Sequence, residues 1–371
     1  MASPVQDFGR DIRFDFYRGV ALWFIFVDHL PNNIVSWLTL RHYGFSDAAE
    51  IFMFVSGVTC ALAYRELQTR DGWAAVISHT LRRGWEIYAA FLLLTIACVI
   101  MVHVAGEGRF ADDSNTRVLL DQPGTALARA AILQYRPANT DVLPTFVIFH
   151  ALFAPLLFLL MRAPNLTLLA SALLYVLVQI FGWNLPQWPR NDWYFNPLAW
   201  QFLVVLGAWF EMGGRQMLRP LLKSRATTVV ALLYLLFSLV VVLGWTFKPM
   251  ALLIPDPLAR LIYPIDKPDL DPLRLLHFLC LAVLAVRWVA PDWRAFKNGI
   301  LRGAIRCGEN SLDVYCLGVL LALGGEMLLV RVSNAYVAQV AISVAGIAIM
   351  VGFATILTWV RIRTREQPKL F

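Results

Sequence analysis

The chain has 371 residues, of which 59% are hydrophobic and only 15% charged, with a formal net charge of +7. That is too apolar for an ordinary water-soluble domain. The apolar residues fall in unbroken windows of about twenty, which excludes a β-barrel and predicts an all-α, polytopic integral membrane protein of about ten transmembrane helices.

In chain order the windows lie near 14–38, 48–66, 84–105, 142–162, 165–185, 197–217, 226–247, 271–290, 309–331 and 334–360. No low-complexity linker divides them, so residues 1–371 read as a single domain. With the N-terminus placed in the cytoplasm, most basic residues fall on that side, from Arg10, Arg13 and Arg18 through Arg215, Arg219 and Lys223 to Arg361 and Lys369. This is the positive-inside bias, and an even number of spans returns the C-terminus to the cytoplasm. Topology therefore explains the net charge, and no nucleic-acid partner is expected. The opening residues are polar and basic, and the first window is too long for a cleavable signal peptide.

The first two windows carry most of the chemistry. Asp28 and His29 lie deep in the first, followed by Pro31, Asn32 and Asn33. Ionisable groups at membrane depth are costly and usually face a protein interior or a wet cavity. From an inner boundary near Phe16, His29 lies about 20 Å along the helix, toward the outer side. Helical spacing puts it beside Asn32 and Asn33, with Asp28 about 100° away. A buried histidine is favoured neutral, as a general base must be. The bland alternative is a histidine satisfied by a neighbouring helix. Asp47 and Glu50 open the second window as Asp-x-x-Glu, the pattern of a capping box, and Glu50 is also placed to orient His29 or His42.

Between the second and third windows, residues 71–83 read as an interfacial amphipathic helix, and residues 293–305 read likewise. A turn at Arg162–Asn165 makes spans four and five a hairpin. His150 lies about 13 Å into the fourth span and His277 about 9 Å into the eighth, so with His29 they predict one polar cavity open to the outside. Trp183, Trp188, Trp193, Tyr194 and Trp200 form an aromatic belt at the outer interface, with Trp193 left open as a sugar-stacking surface. On the inner side, Arg18, Arg82, Arg83 and Arg306 either anchor topology or clamp phosphates. Asn310 and Ser311 begin the ninth span, as caps or beside an anion. The five cysteines have no paired spacing, and no metal site or nucleotide fingerprint is present.

The pattern Arg13-x-Asp15-x-x-Arg18-Gly19, then Asp28-His29 and later Phe52 to Ser56-Gly57, resembles the first two helices of the transmembrane acyltransferase superfamily. The segment Gly44-Phe45-Ser46-Asp47-Ala48-Ala49-Glu50 narrows the resemblance to the OpgC family of periplasmic-glucan succinyltransferases. It implies a multi-pass enzyme of the bacterial inner membrane that moves a succinyl or similar group from cytoplasmic acyl-CoA to a glucan hydroxyl. No permanently bound cofactor is implied, since succinyl-CoA or another acyl-CoA is the donor substrate. The implied catalytic group is His29, with Asp28 and Glu50. Arg18, Arg82, Arg83, Arg306, Asn310 and Ser311 would serve the donor. Asn33, His42, Asp47, His150, Trp193 and His277 would serve the acceptor. One departure is that Arg82 is followed by Glu86 where the superfamily often has a second arginine. The partners are acyl-CoA, the glucan and the bilayer, with a homo-oligomer left open. The rival function is a proton-coupled transporter or flippase using Asp28, His29 and Glu50 as a relay.

Overall fold

A computed structural model describes residues 11–366 apart from 107, 190, 191 and 291, and the side chains of 297 and 364–366 are also left aside. Arg10 and Lys369 lie outside the described residues. Helices dominate, and among the described residues the only β pairing is an isolated bridge, Pro186 to Asp192.

Helix α1 spans Ile12–Asp28 and is capped by Asp11, whose side chain accepts from the Arg13 amide at 3.1 Å. It stops where Pro31 approaches, because the residue before a proline disfavours helical geometry. The first window is thus shorter as helix than expected. His29 is its C-cap, Asn32 is left-handed at φ 53°, and Ile34–Leu38 and Leu40–His42 form short 3₁₀ turns. Asn33 caps the first of these turns, so it does not share a helical face with His29.

Helix α2, Ala48–Val104, begins with the expected capping box: the Ala49 amide donates to Asp47 and the Asp47 amide to Glu50. It breaks at Gly72, whose φ of 80° is one a side chain rarely permits. The arms fold back on each other, since Cys60 and Tyr64 before the break line one cavity with Arg83 and Ile87 after it. No separate helix forms over 71–83, and residues 73–83 are helical in continuity with the rest of α2. One residue makes the reversal, and those positions already belong to the returning arm, with Val76 fully buried.

Three short outer helices follow, then α3 (Val142–Arg162), α4 (Pro164–Phe181) and α5 (Pro197–Trp209). Proline at the first helical position and Asn196 as cap start α5, and a five-residue π turn, Phe210–Gly214, ends it. The remainder is α6 (Arg225–Thr246), α7 (Pro272–Trp288), α8 (Gly299–Glu309), α9 (Ser311–Arg331) and α10 (Tyr336–Glu366).

Among the described residues six helices are long and apolar enough to cross a bilayer: α2, α3, α4, α6, α9 and α10. Their outer faces carry exposed leucine, isoleucine and valine, for example Leu166, Leu173, Val230, Leu233, Val337 and Ile356. In water such a surface would be untenable, whereas in lipid it is the solvated one.

Close helix contacts rest on small residues. A Cβ on Gly19 would lie 1.8 Å from Ala304 O, and one on Gly308 would lie 1.9 Å from Asp15 O. Helix α8 therefore buries Ala304, Cys307 and Gly308 against α1 and Gly303 against Val351 of α10, so the small side of the amphipathic segment is a helix-packing face. Between α2 and α5, a Cβ on Gly57 would meet Val204 O at 2.1 Å, and one on Gly207 would meet Phe54 O at 2.1 Å. Backbones this close are the usual reason for glycine at membrane helix contacts. Gly207→Val is expected to destabilise the protein by at least the roughly 1–3 kcal/mol of an overpacked core. Thermal unfolding in detergent measures this, and an unchanged midpoint would mean the two helices can part without cost.

Candidate active site

At the C-terminal end of α1 and the N-terminal ends of α2 and α7 the helices surround a cavity of about 1360 Å³. Asp28, His29, His42 and Asp47 line it from the end of α1, the start of α2 and the turns between them. The segments between the long helices contribute Arg136, Asp141, Trp193 and Lys267, and α7 and α9 contribute Arg274, Tyr315 and Glu326.

His29 sits on this wall because α1 ends there. Its Nδ1 is buried and, among the described residues, has no protein hydrogen-bond partner. An orphan buried nitrogen costs free energy, and such groups concentrate where a ligand is handled. The neighbouring carboxylates do not orient the ring. Asp28 accepts from Thr39 Oγ1 at 2.7 Å, and Glu50 accepts from Arg274 Nε at 2.9 Å. The orienting role expected for Asp28 and Glu50 therefore has no hydrogen bond behind it.

Glu50 belongs instead to a buried ion cluster. Arg274 pairs with Glu50 at 2.6 Å and with Asp47 at 3.2 Å, while Lys267 pairs with Asp47 at 2.6 Å. Burial would lower the Lys267 pKa, but the Asp47 carboxylate beside it offsets this and leaves it raised. The cluster ties the segment around Lys267 to the start of α2, so the capping residues also fix the roof of the cavity. Hydrophobic patterning could not show this, because Lys267 and Arg274 lie more than 200 positions from their partners.

A second pair was equally invisible. Arg136, only 1% exposed, lies 3.1 Å from Asp141 and donates to Gln187 Oε1 at 2.8 Å. Its guanidinium stands 4.4 Å from the centre of the Trp193 ring, and its Nη1 has no hydrogen-bond partner. Burial lowers the Arg136 pKa and raises that of Asp141, each moderated by the other's charge. Trp193 is thus a cavity wall instead of a belt residue. Trp200, fully buried with Nε1 donating to Pro268 O at 2.9 Å, also leaves the belt.

The remaining acceptor-side residues divide. His42 lines the cavity, stacked on Trp37 at 4.5 Å with Nε2 3.0 Å from Ser36 Oγ. Asn33 is buried behind the wall, donating to Ser343 Oγ at 2.9 Å. His277 pins the Gly44–Ser46 turn, with Nδ1 2.6 Å from Ser46 Oγ and its ring filling the space a Gly44 Cβ would need. His150 faces elsewhere, so the three histidines do not open one cavity as expected.

His150 lines a narrower cavity of about 300 Å³ on the other side of the bundle core. Its Nδ1 donates to Phe146 O at 3.0 Å, and Cys60 Sγ lies 3.8 Å from Nε2. Arg18, Arg83 and Ser311 line the far end, and Arg18 Nη2 donates to Thr59 Oγ1. Phe52, Val142 and Tyr315 line both cavities, so the two meet at these three side chains. Tyr315 is held there by donating to Asn139 O at 2.6 Å.

Other donor-side residues stand apart from this cavity. Arg82 is exposed and pairs with Glu86, as Arg83 also does, at 3.1 and 2.9 Å. Arg306 is exposed and donates to Thr355 Oγ1 at 3.0 Å. Asn310 does not cap α9 through its side chain. Its Nδ2 donates to Thr358 Oγ1 at 2.9 Å, which ties the start of α9 to α10. Among the described residues no group of histidine, cysteine and carboxylate side chains is arranged to hold a metal ion.

An all-helical bundle with lipid-facing flanks and ionisable groups around internal cavities defines a polytopic membrane protein. Residues 10–362, nearly the whole chain, match the family described as OpgC protein, and the chain belongs to that family. No curated protein and no solved structure matches it.

Proposed function

We propose that this protein is a transmembrane O-acyltransferase of the bacterial inner membrane that moves a succinyl group from cytoplasmic acyl-CoA to hydroxyls of periplasmic glucans. The carrying observation is the meeting of the two cavities at Phe52, Val142 and Tyr315, with His29 on one and Arg18 and Arg83 on the other. In this reading ten helical passes, counting both arms of α2, place both termini in the cytoplasm, as the positive-inside bias favours.

Arg18 and Arg83 then hold donor phosphates, and the pantetheine arm occupies the narrow cavity. Arg18 and His29 are eleven residues apart on α1, about 16 Å, a span that an extended arm can bridge. The acceptor hydroxyl gives its proton to a ring nitrogen of His29 as its oxygen attacks the thioester carbon. The C–S bond breaks, and the departing thiolate takes the proton back from the imidazolium, so no net charge remains on the enzyme. Arg136, with Nη1 unpartnered, and Lys267 provide cations for the distal carboxylate of a succinyl group. Trp193 offers an aromatic face to a sugar.

Purified protein in liposomes, given radiolabelled succinyl-CoA on one side and glucan on the other, is expected to produce labelled glucan. Movement of unlabelled glucan across the bilayer without transfer of label would replace the enzyme with a transporter.

A further inference from the structure

A third cavity, of about 1380 Å³, lies where the bundle ends opposite the His29 side. On α2 it begins at Leu62 and reaches Thr69, roughly 20–30 Å along the helix from Ala48. The floor comes from the π turn after α5, and one wall comes from the end of α7. It shares no lining residue with the narrow cavity, which uses Thr59, Cys60, Ala63 and Tyr64 of the same helix.

Five cations converge on it: Arg65, Arg215, Arg219, Lys223 and Arg287. Two carboxylates, Glu66 and Glu211, also line it, yet among the described residues none of the five cations is within 4 Å of a carboxylate. Arg287 is bonded only to the backbone carbonyls of Leu222 and Ser224. Asp11, whose field reaches Arg215, is already paired with Arg13 at 2.6 Å. Two other cations on this end do have a carboxylate partner, Arg70–Asp71 at 2.8 Å and Arg361–Asp313 at 3.3 Å. Glu211 lies in the field of Arg215 and Arg65, so the balance is five cations against two carboxylates, and such an excess of one sign around a concave surface raises the local concentration of anions.

The apolar neighbours say which anion. The short helices carrying these cations also expose Met217 at 64% and Leu221 at 53%, and Trp288 next to Arg287 is 62% exposed. Cations interleaved with exposed apolar side chains, with an indole beside them, are the composition of a segment at headgroup depth. A free nucleotide would have no use for that apolar rim, whereas a phospholipid has acyl chains to lie on it.

We propose that this cavity binds the phosphate-bearing headgroup of an anionic phospholipid and so holds this end of the bundle in register with its leaflet. The inference goes beyond acyl transfer, and its readout is lipid retention, so its failure would leave the proposed reaction untouched.

Native mass spectrometry of the full chain, titrated with phosphatidylglycerol and phosphatidylcholine, tests it. The parent is expected to retain phosphatidylglycerol preferentially. Each cation near an anionic lipid contributes about a fivefold factor, so Arg65→Gln/Arg219→Gln/Lys223→Gln should weaken that retention roughly 100-fold. The control Arg70→Gln/Arg82→Gln, which removes paired cations on the same end, should change it less than about twofold by the same reckoning. Equal retention by the triple variant and the parent would overturn the proposal. So would displacement of the retained lipid by coenzyme A, which would make the cavity a nucleotide site.

Discussion

His29→Ala is expected to lower the rate of label transfer by roughly 10²–10⁴-fold, the range for removal of a general base. Donor binding should change less, because Arg18, which lines the narrow cavity, is about 16 Å away along α1. The prediction rests on a ring that lines the first cavity with its buried Nδ1 bonded to no protein group among the described residues. A merely structural histidine looks different in this same molecule: His277 is fixed by Ser46, and His150 by Phe146. Asp28→Asn should cost much less than His29→Ala, since Asp28 is bonded to Thr39 and not to the imidazole. Single-turnover transfer by detergent-purified variants separates these outcomes. Parental rates in His29→Ala would remove the residue from the chemistry, and a loss in Asp28→Asn equal to that in His29→Ala would mean the two act as one unit.

What local sequence rules could reach was read well. The apolar windows fall on helices because bilayer-length hydrophobic runs have few other solutions. The Asp47–Glu50 box formed as written because capping needs only residues three apart. Errors arose where one residue changes the path: Gly72 abolished a predicted interfacial helix, and Pro31 cut the first span short at Asp28. The amphipathic pattern of α8 was real, but amphipathicity does not say whether the small face meets lipid or another helix. Here Gly19 of α1 admits the α8 backbone at Ala304, and Gly308 of α8 admits the α1 backbone at Asp15.

The candidate site was legible only on its α1 side. His29, Asp28 and Asp47 stand out because ionisable groups are rare in apolar runs. Arg136, Lys267 and Arg274 were missed for the opposite reason. They sit in or beside polar outer segments where a cation is unremarkable, and burial against distant carboxylates is what gives them meaning. The signal available for Arg274 was its position one turn into an apolar helix beginning Asp271-Pro272. Tyr315 was missed because an aromatic in an apolar span reads as core until two cavities are seen to meet at it.

Arg274→Met is expected to destabilise the protein by roughly 3–5 kcal/mol, the cost of leaving a buried charge without its partner. Glu50 is fully buried, and after the substitution it would keep only the Asp47 amide at 2.9 Å. Asp47 would be better off, because Lys267 still reaches it at 2.6 Å. The expected lesion is thus a carboxylate on α2 that must either recruit water or take up a proton. Glu50→Gln/Arg274→Met removes the charge together with its partner and should recover most of the loss, as replaced ion pairs commonly do. The comparison is made by thermal unfolding in detergent, with transfer activity read in parallel. Recovery of stability without activity would show that the cluster is needed to hold Lys267 over the cavity wall. Recovery of both would reduce it to a fastening, and a single variant as stable as the parent would mean that Glu50 does not carry a buried charge at all.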